Sequence, residues 1–143
     1  MTKQKERFVV LVALGVFVLF VASTAHAAKL GKIFITAAKP EAGGFADPSL
    51  EDTVRDLKRA PGDFEIAANE TDADYLLVVV TREELPVSGK PNAKRVTVTL
   101  STSDGSGWKP AIKISKIDGF WEDAARNALG GVQKWVKQNQ QRR

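Results

Sequence analysis

The chain has 143 residues, 21 of them basic and 17 acidic, with a single histidine and no cysteine. This length suits one domain. Without cysteine the fold has no disulfide staple, no thiolate nucleophile and no lipidated N-terminal Cys, so it stands on its apolar core alone.

The chain opens with "MTKQKER", which carries Lys3, Lys5 and Arg7. An apolar run from Phe8 to Val21 follows, then "ASTAHAA", where Ala25 and Ala27 flank His26. A basic start, an apolar middle and an A-x-A end are the three parts of a secretory signal peptide. The middle is shorter than the about 20 residues that span a bilayer. Residues 1–27 are therefore read as a signal peptide cleaved after Ala27, and 28–143 as the mature domain. The alternative is an uncleaved anchor over Phe8 to Ala28, and only then is the membrane a partner. Removal takes away three basic residues and one acid (Glu6), leaving 18 basic and 16 acidic, a net of +2. So small an excess speaks against a nucleic-acid partner.

Removal also takes away His26, the only histidine. A mature domain without His and Cys excludes Ser-His-Asp and Cys-His nucleophiles and the usual zinc sites. Carboxylate-pair hydrolysis, lysine chemistry and oxygen-ligand calcium binding stay open, with no supporting motif. No catalytic residue, metal ligand or cofactor is assigned.

"KIFITAA" (32–38) reads as a first strand. A loop rich in Gly and Pro leads to "DPSLEDTVRDLKRAPG", a helix with Asp47 as N-cap, Pro48 in first position and Glu51 and Asp52 in the first turn. Leu50, Val54 and Leu57 form its apolar stripe, and Pro61-Gly62 stops it. "FEIAA" (64–68) is a second strand. The third, Tyr75 to Arg82, is apolar at consecutive positions, a pattern that suits cover on both faces. "ELPVSGKPNAK" (84–94) reads as a loop. In "RVTVTLSTS" (95–103), Val96, Val98 and Leu100 face one way and Thr97, Thr99 and Ser101 the other. "DGSG" turns the chain into "WKPAIKIS" (108–115), an edge strand because Pro110 cannot donate to a ladder.

The final helix, "FWEDAARNALGGVQKWVKQN", aligns Trp121, Ala124, Ala125, Ala128, Val132, Trp135 and Val136 on one face. Gly130-Gly131 within it marks a kink or a close helix–sheet contact, and "KQNQQRR" reads as a frayed tail. The element order β-α-β-β-β-β-α predicts an α/β (α+β) domain. A right-handed crossover makes strands one and two parallel, in a single mixed five-stranded sheet of order 2-1-3-4-5 with both helices on it.

The run of strand, capped helix, strand, "NETDADYLLVVV", hairpin and long final helix resembles small cell-envelope α/β modules. Examples are the amino-terminal domain of the Tol translocation protein and the periplasmic domain of the curli secretion lipoprotein. Ala73, Asp74 and Tyr75 match the step that leads into their central strand. The resemblance implies a non-enzymatic adaptor or assembly module, periplasmic or secreted, with an unknown protein partner in the envelope. The chain departs from those relatives in having no lipidation Cys and no second domain.

Several stretches carry two readings. Asp72 and Asp74 form a D-x-D that is either a calcium site or the polar entry to a strand; short Asx runs are commonest as turns. "GGF" (43–45) precedes a helix N-terminus, but Asp47 would repel an anion there, which favours a flexible loop. Arg82, Glu83 and Glu84 end the third strand as a groove lining or as a solvated strand end. Trp108 has no place in a core stripe. It either shields the edge hairpin or contacts a partner or sugar. With Lys109 and Lys113 it is the candidate partner contact, on an edge formed by strand five and the 84–94 loop.

Overall fold

A computed structural model describes residues 28–143. Its elements are β1 (Lys32–Ala37), α1 (Ser49–Arg59), β2 (Glu65–Ile66), β3 (Tyr75–Leu85), β4 (Ala93–Ser103), β5 (Trp108–Asp118) and α2 (Trp121–Gln140). The proposed signal peptide lies outside the described residues. The strands form one sheet in the order β2-β1-β3-β4-β5, as the sequence predicts. β1 runs parallel to β2 and to β3, and β3–β4 and β4–β5 are antiparallel ladders.

Local chemistry sets the joints. Asp47 Oδ1 accepts the Ser49 N–H at 2.9 Å and the Ser49 hydroxyl at 2.6 Å, closing the start of α1. These bonds lower the Asp47 pKa, the side-chain bond most. The D-x-D is part of the frame. Glu70–Asp72 form a single 3₁₀ turn, and the Asp74 carboxylate accepts the Lys32 N–H at 2.8 Å while its own N–H donates to the Lys32 carbonyl at 2.8 Å. Asp74 thus locks the start of β1 onto the start of β3, while Asp72 bonds to Asn69 within the turn.

Both helices lie on the same face of the sheet and touch each other. Under them the core gathers Ile33 and Ile35 of β1, Leu77 and Val79 of β3, and Val96, Val98 and Leu100 of β4, all 0% exposed. From the helices come Leu50, Val54 and Leu57 of α1 and Ala124, Ala125, Ala128, Leu129, Val132 and Val136 of α2. Trp121 and Trp135 are half-buried and packed against this core. Trp121 is held by the Arg82 guanidinium, 4.3 Å from its ring centre. Arg82 also donates to the Ser49 carbonyl at 2.8 Å, so one side chain clamps β3 to the first turns of both helices.

Of the two central glycines in α2, Gly131 is the close contact. A Cβ there would come 3.0 Å from Ile114 Cδ1 on β5, whereas one on Gly130 would meet nothing within 4 Å. Near the end of α2, the Gln140 amide donates to the Leu30 carbonyl at 2.9 Å.

Two expectations need correction. The third strand is not covered on both faces. Leu77 and Val79 are buried beneath the helices, but Leu76 and Val78, pointing the other way, are only half-buried. Among the described residues no helix packs on that second face. The 84–94 loop is also mostly strand, since β3 runs to Leu85 and β4 starts at Ala93. The two strands continue as a twisted hairpin past the end of β1, with a bulge between Val79 and Thr81.

Candidate binding face of the sheet

The open face follows from strand alternation and register. On β4, Arg95, Thr97, Thr99, Ser101 and Ser103 point away from the helices, since Val96, Val98 and Leu100 point toward them. The ladders align these residues in rows across three strands. Leu76 pairs with Ser101 and Ser101 with Pro110; Val78 with Thr99 and Thr99 with Lys113; Thr81 with Thr97 and Thr97 with Ser115; Glu83 with Arg95 and Arg95 with Ile117. Ser103 pairs with Trp108 at the far end. Phe34, paired with Leu76, extends the face onto β1, where the Lys58 ammonium of α1 sits 5.8 Å from its ring centre.

The face is thus a mosaic of apolar side chains and hydroxyls. Ile117 is 52% exposed. In the middle, Thr97 Oγ1 and Ser115 Oγ are hydrogen-bonded at 2.9 Å, and Thr97 is buried. Thr81, Glu83, Arg95, Thr97, Lys113 and Ser115 line an open cleft of about 460 Å³. Arg95 Nη1 lies 3.4 Å from Glu83 Oε2 on its upper wall. Lys113 has no carboxylate within salt-bridge distance among the described residues.

The three residues singled out from the sequence are divided between the faces. Trp108 and Lys113 belong to the open face. Lys109 belongs to the helix side of β5 and is ion-paired with Asp104 in the turn. The expected grouping of Trp108 with the 84–94 loop also separates. The loop adjoins the Lys94–Asp118 end of the β4–β5 ladder, and Trp108 closes the other end, nine residues or about 30 Å away.

Electrostatics place the perturbed carboxyls outside this cleft. Lys109 and Ser106 hold Asp104 down to about 2. Lys94 and Asn92 lower Glu84, on the helix side. These shifts favour the ionised forms, whereas a carboxyl serving as a general acid at neutral pH is raised. Among the described residues no group of three His, Cys, Asp or Glu side chains converges where it could hold a metal ion. Nor is any helix among them long and apolar enough to cross a membrane.

The sequence reading missed Arg95, Ser115, Val78 and Ile117 as members of one surface. Its signal was present in the alternation of 95–103, which already set Thr97, Thr99 and Ser101 on the side away from Val96, Val98 and Leu100. Lacking was the knowledge that both helices choose the same side.

No protein-family model matches the chain, and no curated protein matches it. Solved structures do resemble it. A PelC variant from Paraburkholderia phytofirmans, described as a dodecamer, aligns over 80% of this chain and 92% of its own, at 15% identity and a TM-score of 0.44. A minor lipoprotein from Acinetobacter baumannii aligns over 80% and 96%, at 14% identity and a TM-score of 0.43. A second PelC dodecamer structure from the same Paraburkholderia covers 77% and 92%, at 22% identity and a TM-score of 0.38.

Proposed function

We propose that the protein is an exported cell-envelope module that works by binding another macromolecule through the open face of its sheet, not by catalysis. The observation that carries this reading is the one-sided sheet. Helices cover one face, and the other offers Leu76, Val78, Trp108 and Ile117 among hydroxyls, a mixture of apolar contact and hydrogen-bonding capacity typical of interfaces. Exposed apolar surface rimmed by polar groups marks interaction sites in folded domains. The lack of histidine and cysteine after His26 supports binding over nucleophilic chemistry. Export is supported by the three-part N-terminus, and the envelope setting by the likeness of the Ala73-Asp74-Tyr75 step to the Tol and curli modules.

Site-specific photo-crosslinking in the native envelope tests the reading. A photoreactive residue at Val78 or Thr99 is expected to trap a discrete partner, and one at Asp56 or Arg126, on the helix side, is not. Equal trapping from both sides, or trapping only from the helix side, would remove the open face from the account. Intact-mass measurement of the same material checks export, with a mature chain beginning near Ala28 as the expected product.

A further inference from the structure

We infer that the cleft on the open face is a carboxylate-binding site, and that the partner docks an acidic side chain of its polypeptide into it. This inference rests on the binding reading above and names the chemistry of the contact. Arg95 and Lys113 stand two rows apart, on adjacent strands, with the Thr81–Thr97–Ser115 row between them. Same-face rows are spaced about 7 Å along a strand, so the two backbones are about 14 Å apart along it. Both long side chains line the same cleft over the hydroxyl row. An anion resting over Ser115, beside the buried Thr97, therefore has a guanidinium on one side, an ammonium on the other and beneath it the one O–H that the Thr97–Ser115 hydrogen bond leaves free. Charge-assisted bonds of this kind are the strong ones.

The charge balance selects the anion. Arg95 and Lys113 against Glu83 leave a net of +1 in the cleft lining. That matches one carboxylate. A phosphate dianion would face the Glu83 carboxylate, 3.4 Å from Arg95, with no second free cation to offset it. The surroundings select a polypeptide. Val78 lies in the row that ends at Lys113 and Ile117 in the row of Arg95, so apolar contacts flank the charged centre on both sides. The neighbouring half-buried Thr99 adds a further hydroxyl to the floor.

Two lysines on the same strand provide an internal control. Lys109 and Lys116 carry the same charge as Lys113 but belong to the helix side of β5, Lys109 paired with Asp104 and Lys116 lying close to Gly131 of α2. The test is titration of the purified protein with poly-L-glutamate at low salt, followed through the backbone amide resonances of Thr97, Lys113 and Ser115. Arg95→Gln combined with Lys113→Gln is expected to weaken binding roughly tenfold or more, as loss of charge-assisted bonds implies. Lys109→Gln combined with Lys116→Gln is expected to change it by no more than about twofold, the scale of exposed charges away from a site. Equal loss in the two pairs overturns the proposal in favour of unspecific attraction. Inorganic phosphate shifting the same resonances at lower concentration than the polypeptide overturns it in favour of a small-anion site. If the Val78 crosslink persists after Arg95 and Lys113 are neutralised, the carboxylate site fails while the binding face stands. If no crosslink forms at Val78 even in the unaltered chain, the binding face itself fails.

Discussion

Leu77 and Val78 are adjacent in the chain, similar in character and members of the same strand, yet they face different surroundings. Leu77 is sealed beneath two helices, and Val78 lies on a face that no described helix covers. The helix side is apolar through three consecutive strands and closes over small residues of α2, chiefly Ala124, Ala125 and Ala128. The open side alternates Phe34, Leu76 and Val78 with a field of Thr and Ser. The difference teaches that an unbroken apolar strand does not require two covers. One face satisfies the fold, and apolar residues on the other are left for contact.

Paired substitutions at this divide give the sharpest test. Leu77→Ala is expected to cost about 2–5 kcal/mol of stability, through lost transfer energy and an unfilled cavity. Val78→Ala should cost less, about 1 kcal/mol, because part of the side chain is already in contact with water and its loss opens no sealed cavity. Chemical denaturation of the two variants reads the difference, and similar costs would erase the distinction between the faces.

The next effect concerns a buried hydroxyl on the covered side. Thr53 is 0% exposed, and its Oγ1 has no hydrogen-bond partner. Thr53→Val keeps the shape and removes the unpaired group, so it is expected to gain about 1 kcal/mol. A loss of stability would mean that the hydroxyl is satisfied in solution.

A smaller contrast separates the α2 glycines. Gly130→Ala should gain about 0.5–1 kcal/mol from helix propensity alone. Gly131→Ala should gain less, because its methyl group meets Ile114 Cδ1 at 3.0 Å. Equal gains in thermal melts would show that the helix does not press on β5 there.

The smallest effect is one of pH. Asp104, exposed in the turn, is held down to about 2 by Lys109 and Ser106, against an ordinary value of 3.8. A depressed carboxyl stabilises the fold above its unfolded value and loses that contribution as pH falls through the folded one. The melting temperatures of the unaltered protein and Asp104→Asn should therefore differ slightly at neutral pH and converge between about pH 4 and 2. A constant gap across that range would detach the turn from this titration.

Much of the fold was legible because local signals agreed with one another. Asp47-Pro48 marked the start of α1, Leu50, Val54 and Leu57 marked its buried stripe, and Pro110 marked the edge strand. The D-x-D was legible as a turn, and Asp74 does bind the backbone of β1. The length of the β3–β4 hairpin was not, because "ELPVSGKPNAK" carries the Gly and Pro of a loop while cross-strand pairing, including the Lys94–Glu84 ion pair, extends the ladder into it. The binding face was legible only in part. Trp108 stood out because it fitted no stripe. Arg95, Thr97 and Ser115 come from two strands, and their shared row depends on a register that no single segment encodes.

The central claim is that the open face binds and the covered face folds, and Trp108 tests it most directly. Trp108 starts β5 on the open face, opposite Ser103. The decisive measurement pairs partner affinity with thermal stability in Trp108→Ala. Partner affinity is expected to fall by about 1–2 kcal/mol, as for an aromatic interface anchor. The melting transition should stay within about 1 kcal/mol of the unaltered protein. A variant that unfolds, with binding lost only in proportion to the unfolded fraction, would make Trp108 a packing residue and contradict the account.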